Sequence, residues 1–326
     1  MPRATILPAL ILGAGVFHGI AAFAAPIALD LPVACTLGQD CYIQHYLDRD
    51  PGPGDKDFAC GPATYDGHDG TDFALPTRAA MRAGVEVRAA AAGKVRAVRD
   101  GEADGAFAAG APVKGKECGN GVVIDHADGW QTQYCHLREG SIIVHPGEMV
   151  AAGAELGLIG MSGLAEFPHL HLTLREGGIP VDPFHPGALA GCDSAPTDTL
   201  WRDPPAYLGG GVLQIGLADA APDYAGVKQG IAPDPSLPAT IPALILWAYG
   251  YDSAAGDRLS LSITGPGGFR FTHDEVLAKH QALFYRFAGK KAPAGGFEPG
   301  QYEARVTFTR GARVLSDTVT AVTLGP

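Results

Sequence analysis

Two short stretches of this chain bring zinc-competent side chains together at close spacing: Gly67-His68-Asp69-Gly70-Thr71-Asp72-Phe73-Ala74 and Pro168-His169-Leu170-His171-Leu172. Residues two apart on a strand point to the same face, so His169 and His171 project together while Leu170 and Leu172 turn to the core. A catalytic zinc typically takes three nitrogen or oxygen ligands from the protein and leaves a fourth position for water. Two imidazoles and one carboxylate from these stretches meet that requirement. His136, in Tyr134-Cys135-His136-Leu137, adds an imidazole able to act on a water or on a developing oxyanion. A histidine taken singly is more often a surface or satisfied core residue than a ligand. His45, His126, His145, His185, His273 and His280 lie outside such clusters and receive no metal role.

The elements that must position these groups read as strands. From about Tyr65 to Pro183, short apolar runs alternate with glycine turns, at 84–89, 93–98, 121–125, 130–134, 147–153 and 156–160. Such a rhythm describes an antiparallel all-β domain. Asp128-Gly129 tolerates the positive φ of a tight turn and predicts that the strands on either side of it pair. A segment from 191 to 210 shifts to Pro, Asp, Ser and Gly and reads as a linker. Beyond it, runs at 243–249, 259–263, 282–287 and 302–308 predict a smaller immunoglobulin-like β-sandwich over 211–326. Within it, Trp247, Tyr249 and Tyr251 read as core or interface aromatics, with stacking on sugars as the rival role.

The chain has 326 residues, 46% apolar and 18% charged, enough for a leader and two packed domains. Its 45 glycines and 26 prolines show no collagen-like period and agree with many turns between short strands. A formal net charge of -11 disfavours nucleic acid as a partner. Arg3, an apolar run from Ala4 to about Ala22, and Ala22-Phe23-Ala24 describe a secretory signal over 1–24, cleaved after Ala24. An uncleaved anchor is the alternative; His18 interrupts the run and the small-residue site follows directly, so no stable membrane insertion is expected after signal removal. The exported protein would be secreted or periplasmic. Its six cysteines, at 35, 41, 60, 118, 135 and 192, predict disulfides, since no C-x-x-C pair supports a cysteine metal site. Cys35 and Cys41 are spaced to close a local loop. The Asp-, Gly- and Pro-rich stretch 25–60 reads as an irregular, disulfide-pinned lead-in to a domain at 61–190. On a regular strand, Cys135 would face away from His136, so a disulfide there would stay out of the site.

His68 with Asp72 four residues on, Tyr134-x-His136-Leu137, and His169-x-His171 occur here in the order seen in the lysostaphin or LytM-type zinc endopeptidases, and the chain resembles that family over about Tyr65 to Pro183. The resemblance extends to Gly119-Asn120-Gly121-Val122-Val123-Ile124-Asp125-His126, to the glycines at 147, 153, 157, 160 and 163, and to Asp182-Pro183. It departs from the family in the Gly- and Ala-rich insertion at 100–119 and in the cysteines at 60, 118, 135 and 192.

Carried over residue by residue, the resemblance implies one Zn2+ per chain bound by His68, Asp72 and His171, with His136 and His169 catalytic. It also implies the LytM-type β-sheet peptidase fold and hydrolysis of peptide bonds in the stem or cross-link peptides of bacterial peptidoglycan. A D-alanyl to diamino-acid cross-link is the expected bond, because a disulfide-permissive compartment fits a Gram-negative periplasm. The alternatives are a non-enzymatic wall-binding regulator of other peptidoglycan hydrolases and a secreted protease acting on proteins. The lead-in precedes the first ligand closely enough to cover the groove, which would make it inhibitory. The sequence sets no oligomeric state.

Overall fold

A computed structural model describes residue 1, residues 27–187 and residues 198–325. The signal segment, apart from residue 1, the beginning of the expected linker and Cys192 lie outside the described residues.

The first half is an antiparallel β structure. Its strands are β1 (Tyr42–His45), β2 (Thr71–Ala74), β3 (Glu86–Arg88), β4 (Gly93–Arg99), β5 (Asn120–Asp125), β6 (Trp130–Leu137), β7 (Met149–Val150), β8 (Glu155–Leu158), β9 (His169–Glu176) and β10 (Ile179–Pro180), with one short helix, α1 (Arg78–Ala83), between β2 and β3. The main sheet runs β1-β2-β9-β6-β5-β4-β7, with β10 pairing onto β9; β3 and β8 form a separate pair. Strand β9 therefore lies between β2 and β6. Leu170, Leu172 and Leu174 of β9 are buried in a core with Phe73, Val122, Ile124, Tyr134, Leu137 and Ile159. The alternate positions of β9 are thereby left for the other face. The turn at Asp128-Gly129 has the expected positive φ at both residues, 57° and 81°, and joins the paired strands β5 and β6.

The stretch expected to be an irregular lead-in instead supplies the edge strand of this sheet. Tyr42, Ile43 and His45 pair with Ala74, Phe73 and Asp72, and Leu29, Val33, Ile43 and Tyr46 enter the first core. It lies beside β2, not across the groove. The local Cys35–Cys41 disulfide forms as expected, and a second joins Cys118 to Cys135. The described end of the expected linker is packed rather than free. Trp201 is 4% exposed in the first core, and the Tyr207 hydroxyl donates to Asp57 at 2.8 Å.

The second half layers two sheets. It comprises β11 (Gly211–Ala218), the short helix α2 (Tyr224–Gln229), β12 (Ser236–Pro238), β13 (Ala243–Ser253), β14 (Arg258–Thr264), β15 (Arg270–Val276), β16 (Gln281–Lys291), β17 (Gly300–Arg310) and β18 (Arg313–Gly325). The sheets β11-β13-β16 and β12-β18-β17-β14-β15 enclose one core, in which Leu244, Leu246 and Phe284 meet Leu261, Val306 and Phe308. The β12–β18 pair is parallel. Trp247, Tyr249 and Tyr251 are buried, which leaves none of them free to stack on a sugar. Tyr251 packs on Tyr42 of the first half with ring centroids 4.3 Å apart, and Gln44 donates to the Ala282 carbonyl at 2.9 Å.

The Cys118–Cys135 bridge closes a loop over a sequence separation of 17, for which chain-entropy reasoning gives about 3 kcal/mol. The double variant Cys118→Ala/Cys135→Ala is expected to lose about that much in urea unfolding; an unchanged midpoint would show that the insertion is pinned by its other contacts.

Candidate metal centre

Register builds the site. Asp72 of β2 lies directly opposite His171 of β9, and Ala74 lies opposite His169. His68, in the turn before β2, reaches the same point: its Nε2 is 3.2 Å from Asp72 Oδ1 and 3.1 Å from His171 Nδ1. His171 Nδ1 is in turn 2.9 Å from the same carboxylate oxygen. The three side chains implied by the sequence resemblance are thus brought together, and their donor atoms form the compact group expected of a metal site.

Proton placement shows why these atoms fit a cation. A backbone carbonyl can only accept, so the 2.6 Å contact of His68 Nδ1 with the Tyr46 carbonyl puts the ring proton on Nδ1 and leaves Nε2 with a lone pair. His171 Nε2 faces Asp69 Oδ1 at 3.2 Å and Thr173 Oγ1 at 3.0 Å; with its proton donated to Asp69, Nδ1 is bare as well. Three lone-pair atoms then face one another at 2.9–3.2 Å, an arrangement that is repulsive unless a positive charge lies among them. Donors bound at 2.0–2.1 Å around a tetrahedral ion stand roughly 3.3 Å apart, so the triad is close to the spacing required. In the absence of a cation a proton takes that place: burial opposes a charged His171, yet the carboxylates of Asp69 and Asp72 outweigh it and push its pKa up to about 9, so Nδ1 is bare once a metal displaces its proton. Burial likewise works against the Asp72 carboxylate, but the surrounding His68, His169, His171 and His45 hold its pKa well below the usual range. Both shifts express one demand for positive charge at the triad.

Two more imidazoles adjoin it. The His136 and His169 ring centroids are 4.6 Å apart. Each ring gives its Nδ1 proton to a backbone carbonyl, His136 to Ser162 at 2.8 Å and His169 to Phe167 at 2.9 Å, so each neutral ring keeps an unprotonated Nε2. Burial, reinforced at His136 by His169 and His171, lowers the pKa of both. His136 has a φ of 64°, a left-handed conformation that non-glycine residues adopt at a cost and that clusters at functional sites.

That backbone turn corrects the reading of Cys135. Alternation fails at His136, and Cys135 pairs directly with His171, so Cys135 and His136 both line the cleft with Tyr65, Asp69, Glu117 and Arg175. The disulfide forms part of the cleft wall. Sequence reasoning also passed over His45, whose Nδ1 lies 3.0 Å from Asp72 Oδ2; the pairing of β1 with β2, invisible in local spacing, puts it there. His126 and His280 have structural partners instead, Ala92 with Thr132 and Asp252 respectively.

A buried carboxylate between two imidazoles, with a second pair of neutral imidazoles beside it, is a donor set that could hold a divalent cation. Residues 66–183 match the model of peptidase family M23. Among curated proteins, the peptidoglycan DD-endopeptidase ShyB of Vibrio cholerae is 34% identical over 115 residues, covering 35% of this chain and 22% of that protein. The DD-carboxypeptidase/endopeptidase Mpg of Neisseria meningitidis is 33% identical over 118 residues, covering 36% and 22%. The chain thus spans about a fifth of the length of these relatives. Among solved structures, the catalytic domain of the prophage-encoded M23 protein EnpA from Enterococcus faecalis is 26% identical, with 46% of this chain and 94% of that chain covered and a TM-score of 0.32. The match of residues 66–183 to the family M23 model bears out the resemblance read from the motifs over about Tyr65 to Pro183.

Gly70 leaves no room for a side chain beside the triad. A Cβ there would lie 2.6 Å from the Leu172 carbonyl oxygen and 2.7 Å from His171 Nε2, whereas at Gly67, with φ 76°, it would meet nothing. Gly70→Ala is expected to displace β9 and weaken metal binding, read by chelator competition. Gly67→Ala should cost only backbone strain, about 1 kcal/mol, and leave metal affinity in place.

Proposed function

We propose that this chain is a zinc-dependent endopeptidase that hydrolyses peptide bonds in the stem or cross-link peptides of bacterial peptidoglycan, acting in the periplasm or outside the cell. The observation that carries the reading is the convergence of three lone-pair atoms from His68, Asp72 and His171, with the unprotonated His136 and His169 beside them. A zinc ion bound by the triad would supply Lewis acidity, polarising a scissile carbonyl and acidifying water near neutral pH.

The remaining work falls to the chain's own residues. His169 Nε2 is 3.7 Å from Asp72 Oδ1, so it borders the triad and is placed to take the proton of an attacking water. The Phe167 carbonyl fixes its tautomer and Phe167 itself stacks on the ring at 4.5 Å, fixing its plane. His136, held by Ser162, is the second proton acceptor. An imidazole that has taken a proton becomes a donor to the oxyanion or to the leaving amine, which gives the pair both roles in sequence. No nucleophilic side chain is required. The substrate reading draws on the activities for which the relatives are named, peptidoglycan DD-endopeptidase and DD-carboxypeptidase/endopeptidase, and on the export signal read from the sequence; both favour a D,D-cross-link over a glycine bridge.

Wild type is expected to carry about one zinc per chain and to release peptides from purified sacculi that mass spectrometry identifies. His171→Ala should lose both metal and activity. His169→Ala should keep the metal while its rate falls about 10²- to 10⁴-fold. A wild type that binds zinc but cuts no wall preparation would replace the enzyme reading with that of a wall-binding regulator.

A further inference from the structure

The two oxygens of Asp72 have different surroundings. Oδ1 faces into the triad, 3.2 Å from His68 Nε2 and 2.9 Å from His171 Nδ1. Oδ2 faces the other way, 3.0 Å from Nδ1 of His45, and among the described residues no other hydrogen bond reaches it. An ionised carboxylate only accepts, so His45 is the donor. His45 is the last residue of β1, directly opposite Asp72 in the strand pairing, and is 8% exposed. Its ring is set edge-on against Tyr65 at 5.2 Å and His68 at 5.8 Å, so its orientation is fixed on two sides.

A carboxylate ligand can bind through one oxygen or through both. Binding through both occupies the position that a hydrolytic site keeps for water. An outer oxygen held by a buried donor cannot swing inward without breaking that bond, and a low local dielectric makes the loss expensive.

We propose that His45 is a positioning residue of the metal centre: by donating its Nδ1 proton to Asp72 Oδ2, it confines the ligand carboxylate to its single inward oxygen. The inference rests on the metal-site reading above and adds a residue from outside the family-matched stretch 66–183. The segment before that stretch is then part of the centre's support, which is a different role from the inhibitory cover expected of it. Outer hydrogen-bond partners of metal ligands are commonly worth 10- to 100-fold in metal affinity, and one carboxylate with a single outer partner is a case where that effect should be fully visible.

The test separates the proton from the shape of the ring. His45→Phe keeps a ring of similar size without the donor. His45→Asn removes the ring but offers an amide N–H near the Nδ1 position. Zinc affinity of the full chain is measured by chelator competition, and the visible spectrum of the cobalt-substituted protein reports coordination geometry. His45→Phe should weaken zinc binding about 10- to 100-fold and lower the cobalt band intensity as the carboxylate turns two-toothed. His45→Asn should recover most of the affinity and the wild-type spectrum. Urea unfolding of the metal-free variants checks the fold, and His45→Leu supplies a second donor-free variant if Phe does not fit. Wild-type affinity and spectrum in the donor-free variants would overturn the proposal. So would a His45→Asn as weak as His45→Phe, because shape and not the proton would then be the cause. Zinc binding that depends on His45 in a protein that cuts no peptidoglycan would sink the proposed substrate while leaving this inference standing.

Discussion

The structure depends on the pairing of β9 between β2 and β6. Antiparallel pairing puts directly opposed residues on the same face, so the one register that sets Asp72 against His171 and His171 against Cys135 decides at once which side chains meet. A slip of one residue would send His169 and His171 into the core and the leucines of β9 out of it. Burial of Leu170, Leu172 and Leu174 therefore secures the register with hydrophobic free energy, and the functional face inherits that precision. This also explains why the site needs little helix. Apart from His68, its groups ride on strands whose relative positions are set by backbone hydrogen bonds.

Charge and proton placement form the second layer. One buried carboxylate stands among five imidazoles; His45 donates to it directly, and the other four rings each have a distinct acceptor: Tyr46 for His68, Phe167 for His169, Ser162 for His136, and Asp69 for His171. Three of those acceptors are backbone carbonyls, which do not titrate and do not rotate. The arrangement leaves bare nitrogens where lone pairs are needed. It also divides the histidines by environment: the two carboxylates favour positive charge at His171, while burial and neighbouring imidazoles keep His136 and His169 neutral.

The support extends beyond the matched domain. The Tyr46 carbonyl and the His45 ring come from the segment before it, and the second half packs through Tyr251 on Tyr42, four residues or fewer from both. Phe167, which stacks on His169, also packs in a small cluster that includes Leu213 and Leu283 of the second half. The second half thus abuts the residue that stacks on the His169 ring.

Much of this was legible in the chain itself. The His68, Asp72, His136, His169 and His171 set, the all-β class, the Asp128-Gly129 hairpin and the Cys35–Cys41 loop all follow from spacing or from motifs, because strand alternation and turn chemistry are local rules. Strands β15 and β18 escaped notice for the same reason: β15 is an edge strand with mostly exposed residues, and neither carries a sustained apolar alternation. The role of the segment before the domain escaped too. Its composition reads as turns, yet four residues, Tyr42–His45, pair with β2 and deliver His45 to Asp72 across 27 positions of sequence. Cys135 was misplaced because a left-handed residue at His136 breaks the alternation on which the expectation rested. What the sequence by itself determined was which residue types stand at which local spacing, and so which side chains were candidates for a metal site. Which nitrogens carry protons, which oxygen of Asp72 faces the triad and which distant strand steadies it were decided only by the tertiary structure, because those depend on acceptors and register partners that no local rule brings together.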